Sequence, residues 1–150
     1  MERYGRRLVV DLTFEVALAE TVRALRDEGL DLAGRMDVRE FLARTVHHDF
    51  RRYVLLEVVS PSVTLAALRQ DLDIGAALPT TVAVFELADG ETALVVAEPF
   101  GGLGSDPEWR RTAPSLAAVA DQACEQIART LSRLQQAERR HTAMTLEPPA

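Results

Sequence analysis

The chain has 150 residues, of which 47% are hydrophobic, and this size and composition predict a single domain with one core. A formal net charge of -6 and an aromatic content of 5% argue against a surface that binds phosphate backbones or stacks on bases. The one cysteine, Cys124, excludes an intramolecular disulfide and a zinc site built from several thiolates.

The first half of the chain alternates strand-like and helix-like segments. Runs of β-branched residues predict strands, and apolar residues at helical spacing predict helices, with Asp37 and Ser60 as caps of two of these helices. The predicted strands cover residues 7–13, 30–36 and 53–59, and the predicted helices cover residues 14–28, 38–46 and 61–71.

The clearest element is a hairpin, with strands at residues 81–87 and 91–98 and Asp89-Gly90 as its two-residue turn. This turn predicts a register in which Ala88 faces Glu91, Phe85 faces Leu94, Ala83 faces Val96 and Val84 faces Val95. Both faces of the hairpin are then apolar. Because a sheet covered on one side only carries polar residues on its open face, we expect a second layer here.

The last third of the chain contains a glycine- and proline-rich segment, residues 100–114, and a long amphipathic helix. The segment is predicted to be a flexible lid anchored by Trp109, and the helix begins near Pro114 and extends to Leu134. Residues 1–5 are interpreted as an N-terminal extension, residues 6–141 as the domain, and residues 142–150 as a disordered tail. The order βαβαβαββα predicts an α+β fold with a mostly antiparallel or mixed sheet.

Several motifs occur in an order that resembles the family known as domain of unknown function 302, over roughly residues 13–134. They are LRDEGL, DFRRY, the dipeptide SP, ALRQDLDIGAALP, a VAVFE strand, and a DG hairpin that closes on EP. The resemblance implies a compact bacterial or archaeal α+β domain that forms dimers, and some members hold haem. Many relatives carry two cysteines where this chain has Val59 and Thr80, so thiolate chemistry is not expected here.

Five residues are candidates for a ligand site: His47, His48, Tyr53, Glu57 and Trp109. Either histidine could serve as an axial ligand of haem or as a base, and Glu57 interrupts an apolar strand where a carboxylate could exchange protons. Each also has a structural explanation, as a loop end, a strand edge or a packed aromatic ring. No catalytic triad or metal-ligand spacing is present, so we predict neither catalytic residues nor a metal site.

The leading hypothesis is a non-catalytic homodimer that covers the second apolar sheet face, with a small apolar ligand in the cleft. The alternatives are a haem protein using His47 or His48 for sensing or redox chemistry, and a small enzyme acting on an apolar metabolite. No nucleic acid or membrane partner is expected. The chain has no apolar run of about 18 residues and begins without a secretory apolar region, which predicts a cytoplasmic location.

Overall fold

The computed structural model describes residues 4–148 and residue 150, and within them five strands and five α-helices follow one another. The strands are β1 (Arg6–Val10), β2 (Asp31–Asp37), β3 (Tyr53–Val59), β4 (Thr80–Ala88) and β5 (Glu91–Val96). The helices are α1 (Phe14–Asp27), α2 (Val38–Val46), α3 (Pro61–Leu68), α4 (Pro107–Thr112) and α5 (Pro114–Leu146). Two 3-10 segments, Leu72–Ala77 and Pro99–Ser105, complete the chain.

The strands form one sheet in the order β1-β5-β4-β3-β2, and every pairing in it is antiparallel. The predicted α+β class is therefore confirmed. The predicted helix caps are present as well, since the Asp37 side chain accepts from the Glu40 amide and the Ser60 side chain accepts from the Val63 amide.

One face of the sheet carries the main core. Helices α1 and α5 pack on it, and the fully buried side chains alternate with less buried ones along β3 and β4, as expected for a sheet with one covered face. The strand residues of this core are Val10, Val54, Leu56, Val58, Val82, Val84, Leu94 and Val96, and the helix residues include Phe14, Leu18, Leu25, Ile127 and Leu134.

The end of α1 is fastened to α5 by charged groups. Glu28 accepts hydrogen bonds from Nε of Arg129 (2.7 Å) and Nε of Arg133 (2.5 Å), and these bonds, with that from Arg133 the stronger, lower the pKa of its carboxyl group. The side-chain amide of Gln126 donates to the Glu28 backbone carbonyl at 3.2 Å. The backbone carbonyl of Glu28, the C-cap of α1, thus finds a partner on α5, which fixes the relative position of the two helices.

The predicted register of the β4-β5 hairpin is wrong by one residue beyond the turn. Ala88 faces Glu91 as predicted, but Phe85 faces Ala93 and Ala83 faces Val95. The cause is an irregularity between Glu86 and Ala88, where β4 has one residue more than β5, as in a β-bulge. Phe85 and Ala83 therefore share a face with Ala93 and Val95, on the side of the sheet opposite the core.

Two predictions for the C-terminal third are also corrected. Residues 142–146 belong to α5 rather than to a disordered tail, because no proline or glycine interrupts the helix before Pro148 and Ala137 is buried in its last part. The segment 100–114 is not an irregular loop, since it contains α4 and a 3-10 segment. Of the predicted extension, residues 1–3 lie outside the described residues, and Tyr4 and Gly5 lead into β1.

Candidate functional site

The sheet face opposite the helices is here called the open face. None of its side chains belongs to either of the two hydrophobic clusters of the described residues, although the small residues Ala83 and Ala93 are buried. Val9 and Met36 remain 38% and 39% exposed. The cross-strand pairing assigns its members as Arg7, Val9, Met36, Tyr53, Leu55, Glu57, Ala83, Phe85, Ala93 and Val95.

A hollow of about 550 Å³ lies on the open face. Its floor is made of small or short side chains at the centre of the sheet, with larger side chains around them. The lining residues are Tyr4, Gly5, Arg7, Tyr53, Thr81, Ala83, Phe85, Val95 and Ala97. This volume falls in the range of small-molecule sites, about 300–1,000 Å³.

Gly5 shapes one border of the hollow. Its φ is +148°, and a Cβ atom added to it would lie 2.1 Å from the carbonyl oxygen of Val96. Only glycine tolerates both the backbone conformation and this close approach. The chain before β1 can therefore lie flat against β5, where Tyr4 borders the hollow.

A row of aromatic rings leads to the hollow from the loop after α2. The rings of Tyr53 and Phe85 are stacked, with centroids 5.0 Å apart and planes 6° from parallel, because these residues face each other across β3 and β4. Phe50 follows at 6.3 Å from Tyr53, and His48 at 6.4 Å from Phe50. Of the five predicted site residues, Tyr53 lines the hollow and His48 stands at the other end of this row.

Glu57 shares the open face with Tyr53 but lies four residues further along β3. That spacing corresponds to about 13 Å along a strand, too far for the two side chains to act on one atom. The Glu57 carboxylate accepts a hydrogen bond from the Thr81 hydroxyl at 2.9 Å, and Thr81 lines the hollow. Glu57 is therefore adjacent to the hollow, and its carboxylate is hydrogen-bonded to a residue of β4.

The two remaining predicted site residues lie elsewhere. His47 is the exposed C-cap of α2, in the left-handed conformation with φ of 52°. Trp109 belongs to a second hydrophobic cluster, formed by α3, α4, the 3-10 segments and the start of α5, where its ring lies 6.4 Å from that of Phe100. It is not among the residues that line the hollow.

Sequence reasoning missed Arg7, the one cation among the described residues that line the hollow. Its neighbour Arg6 lies on the other face of β1 and pairs with Glu98 at 3.9 Å. The Arg7 side chain makes no ion pair or hydrogen bond to any residue in the described part of the chain. The only available signal was the alternation along β1, which sends two adjacent arginines to opposite faces once the strand register is known.

The described residues give little support for a metal site, a reactive thiol or a membrane-spanning helix. Within residues 4–148 and 150, no group of three or more histidine, cysteine, aspartate or glutamate side chains is arranged to hold a metal ion. Burial raises the pKa of the Cys124 thiol, and nearby Glu98 raises it further, which disfavours the reactive thiolate. No helix among these residues is both long and apolar enough to cross a membrane.

Comparisons with known proteins agree with the fold. Residues 7–134 match the model of the family described as domain of unknown function DUF302. The chain is also similar to the crystal structure of an uncharacterized conserved DUF302 protein from Bacillus stearothermophilus. The two share 22% sequence identity with a TM-score of 0.73, over 89% of this chain and 99% of that one. No curated protein matches the sequence.

Proposed function

The chain belongs to the DUF302 family, and on that premise we propose that it is a non-catalytic homodimer whose copies meet through their open faces. A small apolar ligand occupies the hollow between them. The observation that carries the proposal is the apolar open face, which no buried cluster of the described residues includes.

The residues of β4 and β5 on this face support the proposal because they are apolar, as residues of a protein interior are. In an antiparallel sheet with one solvated face, polar side chains alternate with apolar ones along each strand. Here β4 and β5 carry Ala83, Phe85, Ala93 and Val95 on the side away from the helices. An extended apolar surface of this kind is typical of an interaction site.

The size of the surface also supports a partner. The accessible surface is 9070 Å², whereas a compact monomer of 16.5 kDa is expected to expose about 7,500 Å². The excess of about 1,500 Å² is larger than the roughly 800 Å² that each partner of a standard interface buries.

Light scattering coupled to size-exclusion chromatography tests the dimer. We expect a mass twice 16.5 kDa at micromolar concentration. Val95→Lys should give a folded monomer, because it puts a charge at the centre of the open face. Leu72→Lys is the matched control: Leu72 is 80% exposed and outside the open face, so this variant should remain a dimer. A wild-type monomer at 100 µM, or a dimeric Val95→Lys variant, would refute the proposal.

A second candidate function is haem binding, which the aromatic row favours. His48 could supply an axial nitrogen, and Phe50, Tyr53 and Phe85 offer an apolar surface for a flat macrocycle, so these residues fit haem held by one histidine. Haem would supply gas sensing or electron transfer. The donor most suited to it is His48 rather than His47, because only His48 contacts the row.

Titration with haemin, followed by absorbance, tests this candidate with adjacent residues as variant and control. His48→Ala should abolish the shift of the Soret band, and His47→Ala should preserve it. A wild-type spectrum equal to that of free haemin, or an equal response of both variants, would exclude axial ligation by His48.

A further inference from the structure

We propose that the hollow on the open face binds a small amphipathic monocarboxylate, with its carboxylate at Arg7 and a flat apolar body against Tyr53 and Phe85. This inference rests on the proposed function, in which the hollow holds a ligand, and it names the chemical class of that ligand.

Arg7 supplies a positive charge at one edge of the hollow. An arginine at the edge of an apolar hollow, with no ion pair or hydrogen bond to the described residues, has five N–H donors available for a ligand. The planar guanidinium group matches a carboxylate through two parallel hydrogen bonds. The adjacent Arg6 is already paired with Glu98 on the other side of the strand, so only Arg7 can fulfil this role.

The opposite end of the hollow is aromatic. Tyr53 and Phe85 present a stacked pair of rings, which offers a flat surface for an aromatic or alicyclic group. Between this pair and Arg7, the floor consists of Ala83 and Val95, which carry no polar group. Among the described residues, the site therefore contains one charged anchor and one aromatic surface, with an apolar floor between them.

The register sets the length of the ligand. Arg7 faces Val95 on β5, Val95 faces Ala83 on β4, and Phe85 lies two residues further along β4. Two strand spacings across the sheet and two residues along it separate the Cα atoms of Arg7 and Phe85 by about 12 Å. A two-ring acid spans this distance, whereas acetate or a single amino acid does not.

The charges near the hollow favour one negative group over two. The Glu57 carboxylate is hydrogen-bonded to Thr81, which lines the hollow, and the chain has a formal net charge of -6. A phosphate dianion would be repelled by this carboxylate and would require a second cation, but Arg7 is the only cation among the described residues that line the hollow. One guanidinium group balances one carboxylate.

The test uses biphenyl-4-carboxylate as the probe and its neutral isostere biphenyl-4-carboxamide as the reference ligand, with affinities measured by isothermal titration calorimetry. We expect Arg7→Met to weaken binding of the carboxylate about tenfold or more and to leave binding of the carboxamide within twofold. Arg6→Met is the matched control and should leave both affinities within twofold. Phe85→Ala should weaken both ligands.

Several results would overturn the inference: no binding of the carboxylate at millimolar concentration, equal binding of both ligands to the wild type, or equal losses in the Arg6 and Arg7 variants. Light scattering on the same samples separates this inference from the dimer. A monomer that binds the carboxylate through Arg7 refutes the dimer alone. A dimer that does not bind the carboxylate refutes the ligand class alone.

Discussion

Val95 and Val96 are adjacent in β5, chemically identical and on opposite faces of the sheet, so their alanine variants compare the two faces directly. Val96 is 3% exposed within the main core, and Val95 lines the hollow. Val96→Ala removes two methyl groups from a packed interior, and we expect a loss of about 2–3 kcal/mol in the free energy of unfolding. Val95→Ala should cost about 1 kcal/mol or less in the monomer, because its side chain is only half-buried there.

Equilibrium urea unfolding, followed by far-UV circular dichroism at 1 µM and 100 µM protein, measures both effects. If the open faces associate, the wild-type midpoint rises with protein concentration. Val96→Ala should lower the midpoint equally at both concentrations, and Val95→Ala should reduce the rise. Equal losses of stability for the two variants at 1 µM would refute the assignment of Val95 to the open face. That result would indicate a register without the irregularity at Leu87, in which Val95 faces the core residue Val84.

Three further predictions concern other parts of the fold. Glu28→Gln should lower the free energy of unfolding by about 1–2 kcal/mol at pH 7, because the side chain loses its charged hydrogen bonds from Arg133 and Arg129. Because the pKa of the Glu28 carboxyl group is lowered in the folded state, this contribution is fully present above the ordinary pKa of a carboxyl group. It is lost as the pH falls through the folded-state pKa, so the stabilities of wild type and variant should converge in acid unfolding curves. Gly5→Ala should destabilise the start of β1 through its contact with the Val96 carbonyl, seen as faster amide exchange there, and unchanged exchange would contradict it. Cys124 should react with a thiol reagent at pH 7 more slowly than free cysteine does, and a rate at or above that of free cysteine would show that burial does not hold the thiol protonated.

The elements with strong local signals were predictable from the sequence. The Asp89-Gly90 turn, the Ser60-Pro61 helix start and the apolar stripe of α5 each depend on residues close together in the chain. Their order alone was sufficient for the α+β class and for the resemblance to the DUF302 family, both of which are confirmed.

The register of the hairpin and the composition of the site were not predictable. An extra residue such as Leu87 in β4 has no signature in the local sequence, because it depends on the pairing of the whole strand with its neighbours. Arg7 and Tyr53 are 46 positions apart and come to one hollow only through the order of the strands. The glycine-rich surroundings of Trp109 resemble those of a loop, and its contact with Phe100 in the second hydrophobic cluster leaves no local signal in the sequence.

The alternation along β4 and β5 separates two structural roles. Val84, Leu94 and Val96 maintain the fold, whereas Ala83 and Val95, one position away, determine only how deep the hollow is. A larger side chain at Ala83 would fill the hollow without touching the helices. The volume and the shape of the hollow can therefore change while the packing between the sheet and its helices stays the same.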